Sequence, residues 1–174
     1  TDGQGNVYGG YDYNKNSSAN NNILTISSGT MADVYGGYTV NAASGSCANN
    51  NSVTINGGII ASASGAYGKV AATNNVLTIN GGTITTARGG ASFNSAEGNT
   101  LTINDGTVTT VYGGDTYTSA KSNTVNLKGG TVSGDVYGGY AKGGSHASAE
   151  DNIVNLYATQ VSGTIYGGYG KTVT

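Results

Sequence analysis

Proline and tryptophan are absent from this chain, and cysteine, histidine, methionine and phenylalanine occur once each. Each shortage excludes something. Cys47 has no second cysteine to pair with, so no intrachain disulfide forms. One Cys and one His do not supply the ligand set of a zinc site. His146 and Cys47 sit in different Gly/Ser/Ala-rich stretches, with nothing in the sequence that makes them a catalytic pair. Charge is scarce too, at 9% of residues, against about 25% in ordinary globular chains. A net charge of −2 carries no electrostatic footprint for nucleic acid or an anionic membrane. No apolar run approaches the roughly 18 residues of a membrane-spanning helix, so this segment is not expected to insert into a membrane.

What is present is glycine (31 of 174 residues), tyrosine (13), threonine (23) and asparagine (21). Low charge with regularly spaced β-branched residues favours strands and turns over helices and over disorder. The spacing is repetitive. Val7-Tyr8-Gly9-Gly10-Tyr11, Val34-Tyr35-Gly36-Gly37-Tyr38, Val136-Tyr137-Gly138-Gly139-Tyr140 and Ile165-Tyr166-Gly167-Gly168-Tyr169 are copies of one motif. Val111-Tyr112-Gly113-Gly114-Asp115 is a near copy, and Ala66-Tyr67-Gly68-Lys69 and Ala87-Arg88-Gly89-Gly90 read as degenerate ones. A second motif opens on Asn22, Asn51, Asn75, Asn99, Asn123 and Asn152, at spacings of 29, 24, 24, 24 and 29. A third begins at Gly29, Gly58, Gly82, Gly106 and Gly130, with Thr159 last.

Repetition at this period marks a stack of similar units. Within each motif the periodicity is two. In Asn99–Ile103, Asn99, Leu101 and Ile103 share one face, and Thr100 and Thr102 the other. Leu/Val, Ile/Leu and the column Met31, Ile60, Ile84, Val108, Val132 and Val161 are three inward stacks; Val7, Val34, Ala66, Ala87, Val111, Val136 and Ile165 are a fourth. The expected fold is all-β: a right-handed parallel β-helix (β-solenoid) of about seven coils of roughly 24 residues, with three short strands each. Residues 1–174 read as a single solenoid segment, an excerpt of something longer, with polar variable loops after each Val-Tyr-Gly-Gly strand.

The inward Asn column reads as structural, each amide hydrogen-bonding to the next along the stack. Thr25, Thr54, Thr78 and Thr102 form an outward column that decays to Asn126 and Asn155. An ice-binding surface would need such an array, but strand-forming threonine explains it as well. The tyrosines are the candidates for binding. If Val136 points in, Tyr137 points out, so Tyr8, Tyr35, Tyr112, Tyr137 and Tyr166 line one face with Arg88 in the slot between. Tyr38 and Tyr140, with Tyr11 and Tyr169, make a second column. Rows of exposed rings suit sugars, guanidinium groups and proteins. The alternative is that the rings stack on one another and the loops cover them. Asp33 and Asp135 share a slot but lie four coils apart, about 19 Å, beyond the span of paired glycosidase carboxylates. No catalytic residue, cofactor or metal is therefore expected; the calcium-binding glycine/aspartate repeat is missing as well. Asn16-Ser17-Ser18 and Asn50-Asn51-Ser52 match the glycosylation sequon, as an Asn/Ser-rich chain does by chance.

Units of the form N-x-[LV]-T-I-x-G-G-T-[VI]-x-x-x-[VI]-Y-G-G-Y resemble the repeat arrays in passenger domains of type V autotransporter adhesins of the fusobacterial and Veillonella-like kind. Thr131–Tyr140 is the nearest match, and the resemblance runs over residues 6–170. It implies a secreted, outer-membrane-anchored passenger at the bacterial cell surface, linked to virulence and cell adhesion. Its partner would be a glycan or protein of the host or of other bacteria, and flanking coils of the same chain would continue the stack. A purely structural stalk is the second implied role. A polysaccharide-degrading β-helix enzyme ranks below both.

Overall fold

A computed structural model describes residues 5–14, 18–41 and 45–173. Among these residues there is no helix, and every strand pair is parallel. The strands stack into three sheets of nine, six and six strands. Each repeat gives one segment to each sheet in the same order.

The second sheet holds the Asn-motif strands Ile23–Ile26, Ser52–Ile55, Val76–Ile79, Thr100–Ile103, Thr124–Leu127 and Ile153–Leu156. The first holds Val7–Asp12 and four ten-residue strands, Thr30–Thr39, Ile59–Gly68, Thr83–Ser92 and Thr107–Thr116. In the last two repeats the long strand is broken, into Thr131–Val132 with Val136–Ala141 and into Gln160–Val161 with Ile165–Tyr169. Here the structure departs from the sequence reading. The Gly-Thr-Ile and Val-Tyr-Gly-Gly motifs are not separate strands; in four repeats they are one. The third strand of each repeat lies instead in the stretch that reads as a polar loop: Cys47–Asn49, Ala71–Thr73, Ser95–Glu97, Ser119–Lys121, Ser148–Glu150 and Thr172–Val173. Its inward residues are small, namely Ala48, Ala72, Ala96, Ala120 and Ala149, all buried. An alanine stack carries too little hydrophobic contrast against its Ser and Thr neighbours to register as strand periodicity.

Residues pair with their own repeat equivalents: Leu77 with Leu101 with Val125, and Ile79 with Ile103 with Leu127. One hydrophobic cluster runs through the stack, from Ile26 and Met31 to Leu127, Val132 and Val136. One register differs from the sequence reading. Val34 pairs with Ala63, not Ala66, and Ala63 with Ala87. The third copy of the motif is therefore Ala63-Ser64-Gly65-Ala66-Tyr67, with Ser64 opposite Tyr35 and Tyr67 opposite Tyr38. Ala66-Tyr67-Gly68 mimics the motif three residues out of step.

Two corners need special backbone. Gly29, Gly58, Gly82, Gly106 and Gly130 have φ between 74° and 115° where the second sheet turns into the first, a region that favours glycine. At the corner before each ladder asparagine, Asn21, Asn50, Asn74, Gly98, Ser122 and Asp151 take left-handed φ of 53–63°, mostly residue types that tolerate it. Repeats longer than 24 residues lengthen chiefly at the remaining corner, between Thr39 and Cys47 and between Ala141 and Ser148. Of the two glycosylation sequons, Asn16 lies outside the described residues.

Candidate functional site

The Asn column is buried within the stack. Asn75, Asn99 and Asn123 have no exposed surface, and Asn51 has 1%. Each amide bridges three places. Asn99 Nδ2 donates to Ala72 O (2.9 Å) and to Asn123 Oδ1 (2.9 Å). Asn99 Oδ1 accepts from both the backbone N–H and Nδ2 of Asn75, each at 3.0 Å. The same pattern links Asn22 to Asn51, Asn51 to Asn75, and Asn123 to Asn152. The interior amides Asn51, Asn75, Asn99 and Asn123 are thus spent on internal bonds, which leaves nothing for a ligand. A second, exposed ladder joins Asn56, Asn80 and Asn104; it sits in the turns, where sequence periodicity carries no signal.

The tyrosines form two columns on the first sheet. In one, Tyr8 stacks on Tyr35 (5.7 Å), and Tyr112 on Tyr137 on Tyr166 (5.1 and 4.9 Å). In the other, Tyr11, Tyr38 and Tyr67 stack at 5.7 and 5.3 Å, and Tyr140 stacks on Tyr169 at 5.1 Å. These spacings follow the strand separation of about 4.8 Å. Most of the rings are half-buried against one another, while Tyr11 and Tyr169 stay about half exposed.

Both columns break in the middle. In the first, Ser64 and Arg88 stand where the flanking repeats carry tyrosine. In the second, Ala91 and Asp115 do. The break leaves an open cavity of about 380 Å³. Tyr35 and Tyr67 wall one end. Phe93 and Tyr117, stacked at 5.1 Å and projecting from the corner after the long strand, make a side wall. Arg88 crosses the floor. Its Nε donates to Asp115 Oδ2 (2.8 Å), its Nη1 donates to Ser62 Oγ (2.9 Å), and its guanidinium lies 5.5 Å from the Tyr112 ring centre. Lys142, carried by the longer corner before Ser148, closes the far side with Nζ 3.0 Å from Asp115 Oδ1. Ser64 also lines the cavity; it is fully buried, and its Oγ has no hydrogen-bond partner among the described residues.

Of the sequence candidates, Tyr35 and Arg88 line this cavity, and Tyr112 touches it through Arg88. Tyr8, Tyr38, Tyr137, Tyr140 and Tyr166 belong to the flanking stacks. Ser64, Tyr67, Ala91, Asp115 and Lys142 escaped the sequence reading. The signal for the first was a register only strand pairing reveals. Ala91 and Asp115 were legible as missing tyrosines.

Burial pushes the Tyr35 phenol up to about 12, with help from the Asp33 charge. Tyr67 and Tyr112 shift the same way, first from burial and then from Asp115. Tyr137 is raised by burial and by donating to Asp135 Oδ2 at 3.1 Å. The folded chain therefore holds these protons more tightly than the unfolded one, whose tyrosines titrate near 10. The resulting stabilisation is whole below pH 10 and is lost as pH rises through about 12. Thermal melts should stay level at mildly alkaline pH and fall steeply above pH 10, with tyrosinate absorbance appearing later than in free tyrosine. Coincident titration of folded chain and free tyrosine would contradict this.

His146 is exposed in a turn, and Cys47 opens a strand of the third sheet as a free thiol. Among the described residues no cluster of three or more His, Cys, Asp or Glu could hold a metal ion. Compared with protein-family models, with curated proteins and with solved structures, the chain matches none.

Proposed function

We propose that the chain is a segment of a right-handed parallel β-helix of about seven coils, displayed on a bacterial cell surface as a non-enzymatic adhesin. It binds a glycan or protein of a host or of other bacteria at the gap in the tyrosine face. The observation that carries this reading is the gap itself. Two tyrosine columns run in register through the stack, and both give way to small or charged residues over overlapping repeats, Ser64 and Arg88 in the first and Ala91 and Asp115 in the second. The product is a cavity with aromatic walls and a polar floor, the make-up of a small-ligand site and of a sugar site in particular, where ring faces pack on aromatics. Three sheets, all-parallel pairing and one continuous core support the solenoid. The repeat motif's resemblance to autotransporter passengers supports the surface location.

The test is Ser64→Tyr, which restores one of the two tyrosines missing from the first column and fills the cavity. In a glycan array and a surface-protein pull-down, wild type should bind a ligand, and Ser64→Tyr should lose at least tenfold in affinity at unchanged melting temperature. No ligand for wild type would favour the alternative, a stalk that holds another domain away from the membrane. The continuous Asn ladder also suits that role.

A further inference from the structure

We infer that the cavity takes an anionic sugar, a pyranose bearing a carboxylate or a sulfate, as one residue of a longer glycan. This rests on the reading of the gap as the binding site and names its ligand class. The chain carries −2 overall and only seven Lys and Arg. Three of the seven, Arg88, Lys142 and Lys69, gather at this cavity: Arg88 and Lys142 line it, and Lys69 Nζ stands 5.0 Å from the Phe93 ring centre on its wall. One carboxylate, Asp115, lines the cavity with them, and a second, Asp33, stands beside it opposite Ser62, so three cations face two carboxylates. Asp115 is spent, since Arg88 and Lys142 each hold one of its oxygens.

The cations keep unused capacity. Arg88 Nη2 has no partner among the described residues, and Lys142 Nζ donates one of three hydrogens, with its side chain 51% exposed. Both face a space that already has an aromatic wall for the ring. A neutral sugar would use the wall but leave the excess positive charge unanswered. An anion on the sugar ring answers it with charge-assisted hydrogen bonds from Nη2 and Nζ.

Three probes on the intact chain test this: oligogalacturonate, its fully methyl-esterified form, and a sulfated galacto-oligosaccharide. The free acid or the sulfated sugar should bind at least tenfold more tightly than the ester; which of the two does so identifies the anion. Binding should weaken as salt rises. Lys142→Gln should reduce affinity for the anionic probe about fivefold and leave the ester unchanged. Lys128→Gln, an equal charge change on another face, should have no effect. Equal affinity for acid and ester, both abolished by Ser64→Tyr, would overturn the anionic assignment and keep the site. Binding by none of the three would overturn the anionic assignment, and binding insensitive to Ser64→Tyr would overturn the site as well.

Discussion

Asn99→Ala should lower the free energy of unfolding by about 4 kcal/mol, enough to drop the melting temperature of a chain this size by about 10 °C. Asn99 is fully buried, and its side-chain amide makes four hydrogen bonds, two accepted from Asn75 and two donated, to Ala72 O and Asn123 Oδ1. Alanine cannot replace any of them. The Asn75 backbone N–H and the Ala72 carbonyl are left buried without a side-chain partner, each at a cost of about 1–3 kcal/mol. Asn123 Oδ1 keeps its bond from the Asn99 backbone, so the loss stops short of the whole ladder. Asn152→Ala is the internal control: Asn152 is partly exposed, so water reaches the stranded groups and the loss should be less than half as large. Chemical denaturation of both variants checks this. Equal, small losses would mean that the ladder adds little beyond packing.

Gly113→Ala should cost about 3 kcal/mol or more, and Gly114→Ala about half as much. Neither glycine has a left-handed φ; both sit in the extended strand Thr107–Thr116, so the issue is space. A Cβ on Gly113 would be driven into the backbone carbonyl of Gly138 in the next repeat, with Val125 Cγ2 3.1 Å and Asn123 Cβ 3.2 Å away. Relief would require widening the parallel ladder itself. A Cβ on Gly114 meets the Asn123 amide, 2.5 Å from Nδ2, and a side chain can shift. The chain already contains that experiment: Ala66 takes the second-glycine position opposite Gly37, while Gly65 is kept at the first, opposite Gly89 across the ladder. Comparative melts of the two variants decide the matter, and a reversed order would show that the ladder amide, not the backbone carbonyl, limits the space.

The two predictions differ in how much of them a sequence reader can reach. The inward Asn column follows from parity, since each Asn shares a strand face with Leu and Ile. Its four bonds per amide, and the glycine pair packed directly against it, follow only from the way the long strand passes the corner. The same division runs through the site. Missing tyrosines at Arg88, Ala91 and Asp115 are legible as breaks in a repeat. Ser64 is not, because Ala66-Tyr67-Gly68 offers a false copy of the motif, and only pairing of Val34 with Ala63 shifts the frame. Lys142 lies in a corner whose length differs between repeats, so nothing in the periodicity aims it at Asp115.

The sequence alone determined the all-β character, the stacking of equivalent residues and the Leu, Ile and Val columns of the core. In a parallel in-register stack each residue lies against its own counterpart, so aligning the repeats is nearly equivalent to drawing the contacts. Tertiary structure alone decided what this rule does not cover. It joined two motifs into one long strand, placed the third sheet on alanines too small to announce it, and closed a cavity from residues of five successive repeats. Those outcomes depend on how corners of unequal length return the chain to the sheet, a matter of backbone geometry and side-chain reach that repeat spacing does not encode.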